Sequence, residues 1–136
     1  MRPIPTSLVA TALKITTIVN CTVGITGVAA PTLSAQLLFD IDGPLEGHFL
    51  RIYLIVWLFV GVMGLGYWFG AKDPRHQSGI ILFGGVGKIL FAGMCIECLF
   101  SGFGTMLLLL PIVFDGVLGI LFLLYIIQPD FNAETG

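Results

Sequence analysis

Charge is what this sequence has least of. Its 136 residues include six Lys and Arg and eight Asp and Glu, a net charge of −2. A water-soluble domain carries roughly a quarter of its residues as charged side chains, so a solvated globular surface is excluded. No basic cluster is present, and nucleic acid is not expected as a partner. With three cysteines there is no second cysteine pair to relay electrons. The chain also lacks a phosphate-binding loop, a nucleophile-base-acid order and paired carboxylates, the features that would justify assigning it to an enzyme class. Low-complexity tracts and internal repeats are missing too.

What is present is apolar. Hydrophobic residues make up 57% of the chain and the mean hydropathy is +1.02. Four segments, roughly 8–30, 50–70, 79–100 and 105–127, each approach the ~20 residues that cross a ~30 Å hydrocarbon core. Each span must satisfy its own backbone hydrogen bonds in lipid, which selects helices. The expected fold is therefore all-α: one domain, a bundle of four antiparallel transmembrane helices with short loops. The first span has Arg2 before it and small residues after it, as a signal peptide would, but it is too long for an h-region and is expected to remain. Lys14, Lys72 and Arg75 fall with Arg2 on the side of both termini, whereas Arg51 stands among Asp40, Asp42 and Glu46 on the other. Positive residues concentrate on the cytoplasmic side of membranes, which places both termini there.

The first connection, PTLSAQLLFDIDGPLEGHFLR, carries Leu33, Leu37, Leu38 and Phe39 ahead of acidic residues, the pattern of a short segment lying in the membrane interface. The other two connections are tight, so the second and third spans, and the third and fourth, are expected to pack side by side. Eighteen glycines supply the small faces by which membrane helices approach closely: Gly24 and Gly27; Gly61, Gly64, Gly66 and Gly70; Gly84, Gly85 and Gly87; Gly116 and Gly119. Trp57, Tyr67 and Trp68 fit helix ends or packing, and the last two fall near the cytoplasmic interface, where aromatic belts occur.

Three polar residues fall at similar depth: Asn20 in the first span, Lys88 in the third and Asp115 in the fourth. A charge at the centre of a helix costs about 2.5–3.5 kcal/mol on insertion scales, so each needs a partner inside the bundle. The expected arrangement is a buried Lys88–Asp115 pair with Asn20 adding a hydrogen bond. Thr16, Thr17, Gly24 and Gly27 share the face of Asn20. Pro111, four residues before Asp115, removes a backbone donor and is expected to kink the fourth helix, opening a small cavity beside the acid.

Cys95 and Cys98 form a Cys-x-x-Cys at the end of the third span. Cys95, seven residues after Lys88, shares its inward face, whereas Glu97 points away. A helix C-terminus disfavours a thiolate, so small buried side chains are the simplest reading and thiol exchange an alternative. Metal ligation by Cys95, Cys98 and His48 has poor spacing, and no metal is expected.

Gly64-Leu65-Gly66-Tyr67, Asp73-Pro74 and Gly87-Lys88, followed by Asp115-Gly116, give the chain a pattern that resembles small bacterial four-span proteins of the DoxX-like type. The resemblance implies a four-helix bundle of the bacterial inner membrane. It also implies service as an accessory or folding partner, or in membrane thiol or quinone redox systems. Three functions follow as expectations. The first is a non-catalytic accessory or assembly subunit of a larger membrane complex, contacting lipid and another subunit or itself. The second is a redox protein using Cys95 and Cys98. The third is a site for a lipid or small apolar ligand at the Lys88 and Asp115 layer. No resident cofactor is required, with quinone or lipid the candidates.

Overall fold

The computed structural model of the chain describes residues 3–128; Arg2, one of the charges that set the expected orientation, lies outside them. Five helices follow one another: α1 (Thr6–Ala29), α2 (Pro31–Leu38), α3 (Gly47–Lys72), α4 (Ser78–Phe100) and α5 (Leu109–Ile127), with a 3-10 turn at Met106–Leu108 leading into α5. Extended pairing among the described residues is limited to a single bridge between Phe39 and Gly104. Four helical stretches, Thr6–Ala29, Gly47–Lys72, Ser78–Phe100 and Met106–Ile127, are long and apolar enough to cross a membrane. Each agrees with its expected span to within about three residues, close to the usual spread of helix ends. The chain is an all-α bundle whose four long helices have the length and apolar content of membrane spans.

Proline sets several of the boundaries. Pro5 is extended and caps α1, while Pro31 occupies the first turn of α2, where a missing N–H costs nothing. Ala30 between them leaves the helical region, its N–H still bonded to the carbonyl of Thr26, so the chain bends from α1 into α2 without a long loop. α2 is the short helical segment expected in the first connection. Its Leu33 and Leu37 stay exposed while Ser34 and Ala35 turn inward. Gly102, with φ of +78°, makes the sharp reversal after α4 that a residue with a side chain would resist.

The helices associate in two pairs. Along α1 and α3 the contacts run Gly27 on Trp57, Gly24 on Gly61, Asn20 and Cys21 on Gly64, and Leu13 on Gly70. Successive contacts climb one helix as they descend the other. The backbones touch: a Cβ on Gly24 would fall 2.9 Å from Gly61 Cα. Along α4 and α5 the contacts are Gly85 on Phe122 and Leu123, Ile89 on Gly119, and Lys88 on Asp115. The expected neighbourhood of α3 and α4 is thin by comparison. It includes Gly70 against Ile80 and Gly84 against Tyr67, near the connecting turn. The short turn holds those two helices together at one end, but the glycine face of α3 is spent on α1.

The pairs join at both ends. At the end that holds the α3–α4 turn, Val9, Ala12 and Leu13 of α1, Tyr67 and Ala71 of α3, Ile81 of α4, and Phe122 and Tyr125 of α5 form the core. There the Tyr125 hydroxyl donates to Thr6 Oγ1 at 3.2 Å, the Arg75 Nε–H donates to the same oxygen at 3.4 Å, and the Ile4 N–H donates to Gln128 Oε1 at 2.8 Å. At the opposite end α2 is tied to the approach to α5. The Thr105 N–H and hydroxyl donate to the carbonyls of Leu38 and Leu37, and the Asp40 N–H to that of Phe103.

Candidate functional site

Lys88 and Asp115 meet between α4 and α5, 5% and 9% exposed. The Lys88 ammonium donates to Asp115 Oδ1. Glycines one turn away on each helix bring them there. Gly85 precedes Lys88 on α4 and Gly119 follows Asp115 on α5, and a Cβ on Gly119 would fall 3.0 Å from the Gly85 carbonyl oxygen. The glycines close the seam, and closure brings the two charges into contact. Two aromatic rings complete the surroundings, with Nζ 5.1 Å from the Phe114 centroid and 5.6 Å from that of Tyr67. Cations over aromatic faces gain roughly 0.5–2 kcal/mol, more when desolvated, which offsets part of the cost of burying the ammonium.

Asn20 does not join this layer. It lies half-buried on α1, with its Cβ against Gly64 of α3, and its hydrogen bond to the ion pair is not formed. The expected direction differs because the small face of α1 is turned toward α3. Thr16, on the same face, is fully buried with its hydroxyl donating to the Ala12 carbonyl.

Pro111 requires a second correction. It stands in the first turn of α5, just past the 3-10 turn, where an unsatisfied N–H would be present in any helix. A proline there demands no mid-helix kink. An apolar groove of about 410 Å³ lies instead on the α1–α3 pair, lined by residues including Cys21, Gly24, Val28, Trp57, Leu58 and Gly61. The Trp57 ring rests on Gly27, and its indole Nε1–H is sealed from the surface with no hydrogen-bond partner among the described residues.

Tyr67 is a residue of this region that sequence reasoning did not single out. Of the two expected roles, helix end or packing, it takes packing: it is 3% exposed and sets its ring against Phe122 with centroids 6.1 Å apart, whereas its neighbour Trp68 is half exposed. A usable signal existed in the spacing Gly64-x-x-Tyr67-x-x-Gly70, which places the tyrosine on the glycine face of α3.

Cys95 is buried and Cys98 half-buried, both as free thiols, while Glu97 is exposed. Among the described residues no group of three His, Cys, Asp or Glu side chains is placed to hold a metal ion. The Asp73-Pro74 turn is held by its own side chain: the carboxylate accepts the His76 N–H at 3.3 Å and pairs with His76 Nδ1 at 2.7 Å. The backbone N–H is the leading cause that holds the Asp73 carboxyl below its ordinary value.

Chemically, the centre offers a paired ammonium and carboxylate within an aromatic wall. The thiols stand apart from it in sequence by at least a turn of α4. No family model, curated protein or solved structure matches the chain.

Proposed function

We propose that this protein is a non-catalytic accessory or assembly subunit of a larger membrane complex, docked through the outward side of α3. The observation that carries this reading is the burial of α3. Only 11% of its most apolar stretch is buried, against 28% for the α1 and Met106–Ile127 spans and 33% for α4. The side left open is large and bulky: Ile52, Ile55, Phe59 and Val62 are all more than half exposed. The glycine-floored groove on the α1–α3 pair adjoins this side and gives a partner helix a place to seat. In this reading both termini are cytoplasmic, the bilayer is the bacterial inner membrane, and the chain is kin to the DoxX-like proteins it resembles.

The test is photo-crosslinking in native membranes, with a diazirine amino acid at Phe59 on α3 or at Val117 on α5, followed by mass spectrometry. A discrete protein adduct from Phe59, with lipid alone from Val117, is the expected outcome. Lipid adducts from both positions, together with a lone monomer by native mass spectrometry, would end the proposal.

A further inference from the structure

We infer that Tyr67, Lys88 and Asp115 form a head-group site between α3, α4 and α5 for a neutral lipophile that carries a carbonyl or hydroxyl oxygen. The inference is independent of the docking side of α3.

Hydrogen-bond capacity is the starting point. An ammonium has three N–H donors, and one of those on Lys88 is taken by Asp115 Oδ1. The remaining donors meet no oxygen among the described residues, and the rings of Tyr67 and Phe114 lie within 5.6 Å of the nitrogen. Asp115 Oδ2 accepts no hydrogen bond from the described residues. Tyr67 is 3% exposed, and its hydroxyl neither gives a hydrogen bond to them nor receives one. Its oxygen lies 2.8 Å from where a Cβ would stand on Gly84, one turn before Lys88 on α4. Among the described residues Trp57 Nε1 is the one fully covered side-chain N or O without a partner, so the Tyr67 oxygen keeps some surface through which a guest can reach it. Here a phenol, an ammonium and a carboxylate from three different helices all keep unused capacity in one region.

The charges decide the class of ligand. Lys88 and Asp115 cancel, so an ionic guest would arrive without compensation in a low-dielectric interior. Lys88 keeps two unused donors and Tyr67 one, enough to hold an oxygen that accepts, such as a carbonyl. A hydroxyl fits as well, since it can accept from Tyr67 or Lys88 and donate to Oδ2. The walls contributed by Phe114, Phe122 and the Tyr67 ring suit an apolar body. A narrow approach exists, since the Asp115 side chain keeps 13% of its surface. Gly87 and Gly116, the chain neighbours of the ion pair, face open space where a side chain would stand.

Two sources share this chemistry, glycerides and quinones, and the experiment separates them. The full chain in nanodiscs is titrated with dioctanoylglycerol and, separately, with a decyl-substituted benzoquinone, and binding is read by native mass spectrometry. One saturable, equimolar site for at least one probe is expected. Tyr67→Phe should weaken it about tenfold, the equivalent of one lost hydrogen bond, while Tyr53→Phe, whose hydroxyl pairs with Ser34 instead, should leave it unchanged. The probe that binds names the source. Absence of saturable binding to the folded wild type by both probes overturns the inference, as does equal affinity in wild type and Tyr67→Phe. Should Tyr67→Phe fail to fold, a diazirine-bearing diacylglycerol or benzoquinone on the wild type decides. Labels on residues 84–92 and 112–119 support the site, and labels confined to the α1–α3 groove refute it.

Discussion

Between α1 and α3 the helices meet backbone to backbone at Gly24 and Gly61, whereas between α4 and α5 the same closeness, made by Gly85 and Gly119, carries a buried ion pair at its centre. In lipid there is no hydrophobic force to hold helices together, so each seam depends on packing and on whatever polar contact it contains. The first seam is held chiefly by shape and tolerates sliding until a side chain obstructs it. The second has its register set by one pair of atoms, since a one-residue slip of either helix would leave two charges unpaired. The unsatisfied groups follow the same division: the indole N–H of Trp57 lies on the first seam, the spare capacity of Lys88 and Asp115 on the second.

The widest separation between the seams comes from removing one charge. Lys88→Met or Asp115→Leu leaves its partner buried and uncompensated, and each should cost about 3–5 kcal/mol. The double replacement should recover most of that loss. Reversible unfolding in mixed micelles measures all three, and a double variant as damaged as the worse single one would show that the two charges are not coupled.

Adding a methyl group tests the packing in both seams. Gly24→Ala places a Cβ 2.9 Å from the Gly61 backbone, and Gly119→Ala places one 2.8 Å from Ile89. Overpacking of this kind costs roughly 1–3 kcal/mol. Gly24→Ala should fall at the upper end, because its nearest atoms, on Gly61 and Trp57, are all backbone, whereas Gly119→Ala meets the Ile89 side chain, which can swing aside, before the Gly85 carbonyl oxygen. Gly66→Ala and Gly116→Ala, which meet nothing within 4 Å, should stay within about 0.5 kcal/mol of wild type. Equal losses at all four positions in the same unfolding assay would mean that glycine serves helix flexibility here and not seam closure.

These outcomes bear on what can be read from residue order. Spans are legible because lipid fixes their length and apolar content, and depth is legible because residues can be counted along a helix. Counting alone therefore brings Lys88 and Asp115 together. Direction is harder. Gly66-x-x-x-Gly70 looks like a packing motif, yet Gly66 faces open space, and Asn20 stands at the depth of the pair on a helix turned elsewhere. Connection length misleads as well, since the tight Asp73-Pro74 turn forces α3 and α4 together at one end only. Pro111 reads as mid-helix because the 3-10 turn that precedes α5 leaves no mark in hydropathy. Which face turns inward depends on the joint packing of four helices, and hydropathy cannot report it when lipid and interior are equally apolar.

A smaller effect is expected where the two pairs are tied together. Thr6→Val removes the oxygen that accepts from both Tyr125 and Arg75. Interhelical hydrogen bonds in membranes average about 0.6 kcal/mol, so a loss of ~1 kcal/mol is expected for the two together. Amide hydrogen exchange at α1 and the end of α5 should rise in this variant while exchange around Lys88 stays slow. Faster exchange spread evenly over all four helices would place Thr6 in the core and not at a local tie.

The smallest effect lies in the α3–α4 turn, outside both seams. Asp73 accepts the His76 N–H in the folded chain, which favours its charged form and holds its carboxyl below the ordinary value of 3.8. A carboxyl depressed on folding contributes stability that is full above its unfolded pKa and is lost as pH falls through its folded pKa. The loss therefore begins near the ordinary carboxylate value and continues below it, and because the turn is open to solvent it is slight. Asp73→Asn keeps an oxygen acceptor for the turn but cannot titrate. Unfolding followed from about pH 6 downward, above the carboxylate range, should show wild type and variant converging in acid after a small difference near neutrality. A constant difference across that range would assign the role of Asp73 to the geometry of the turn and not to its charge.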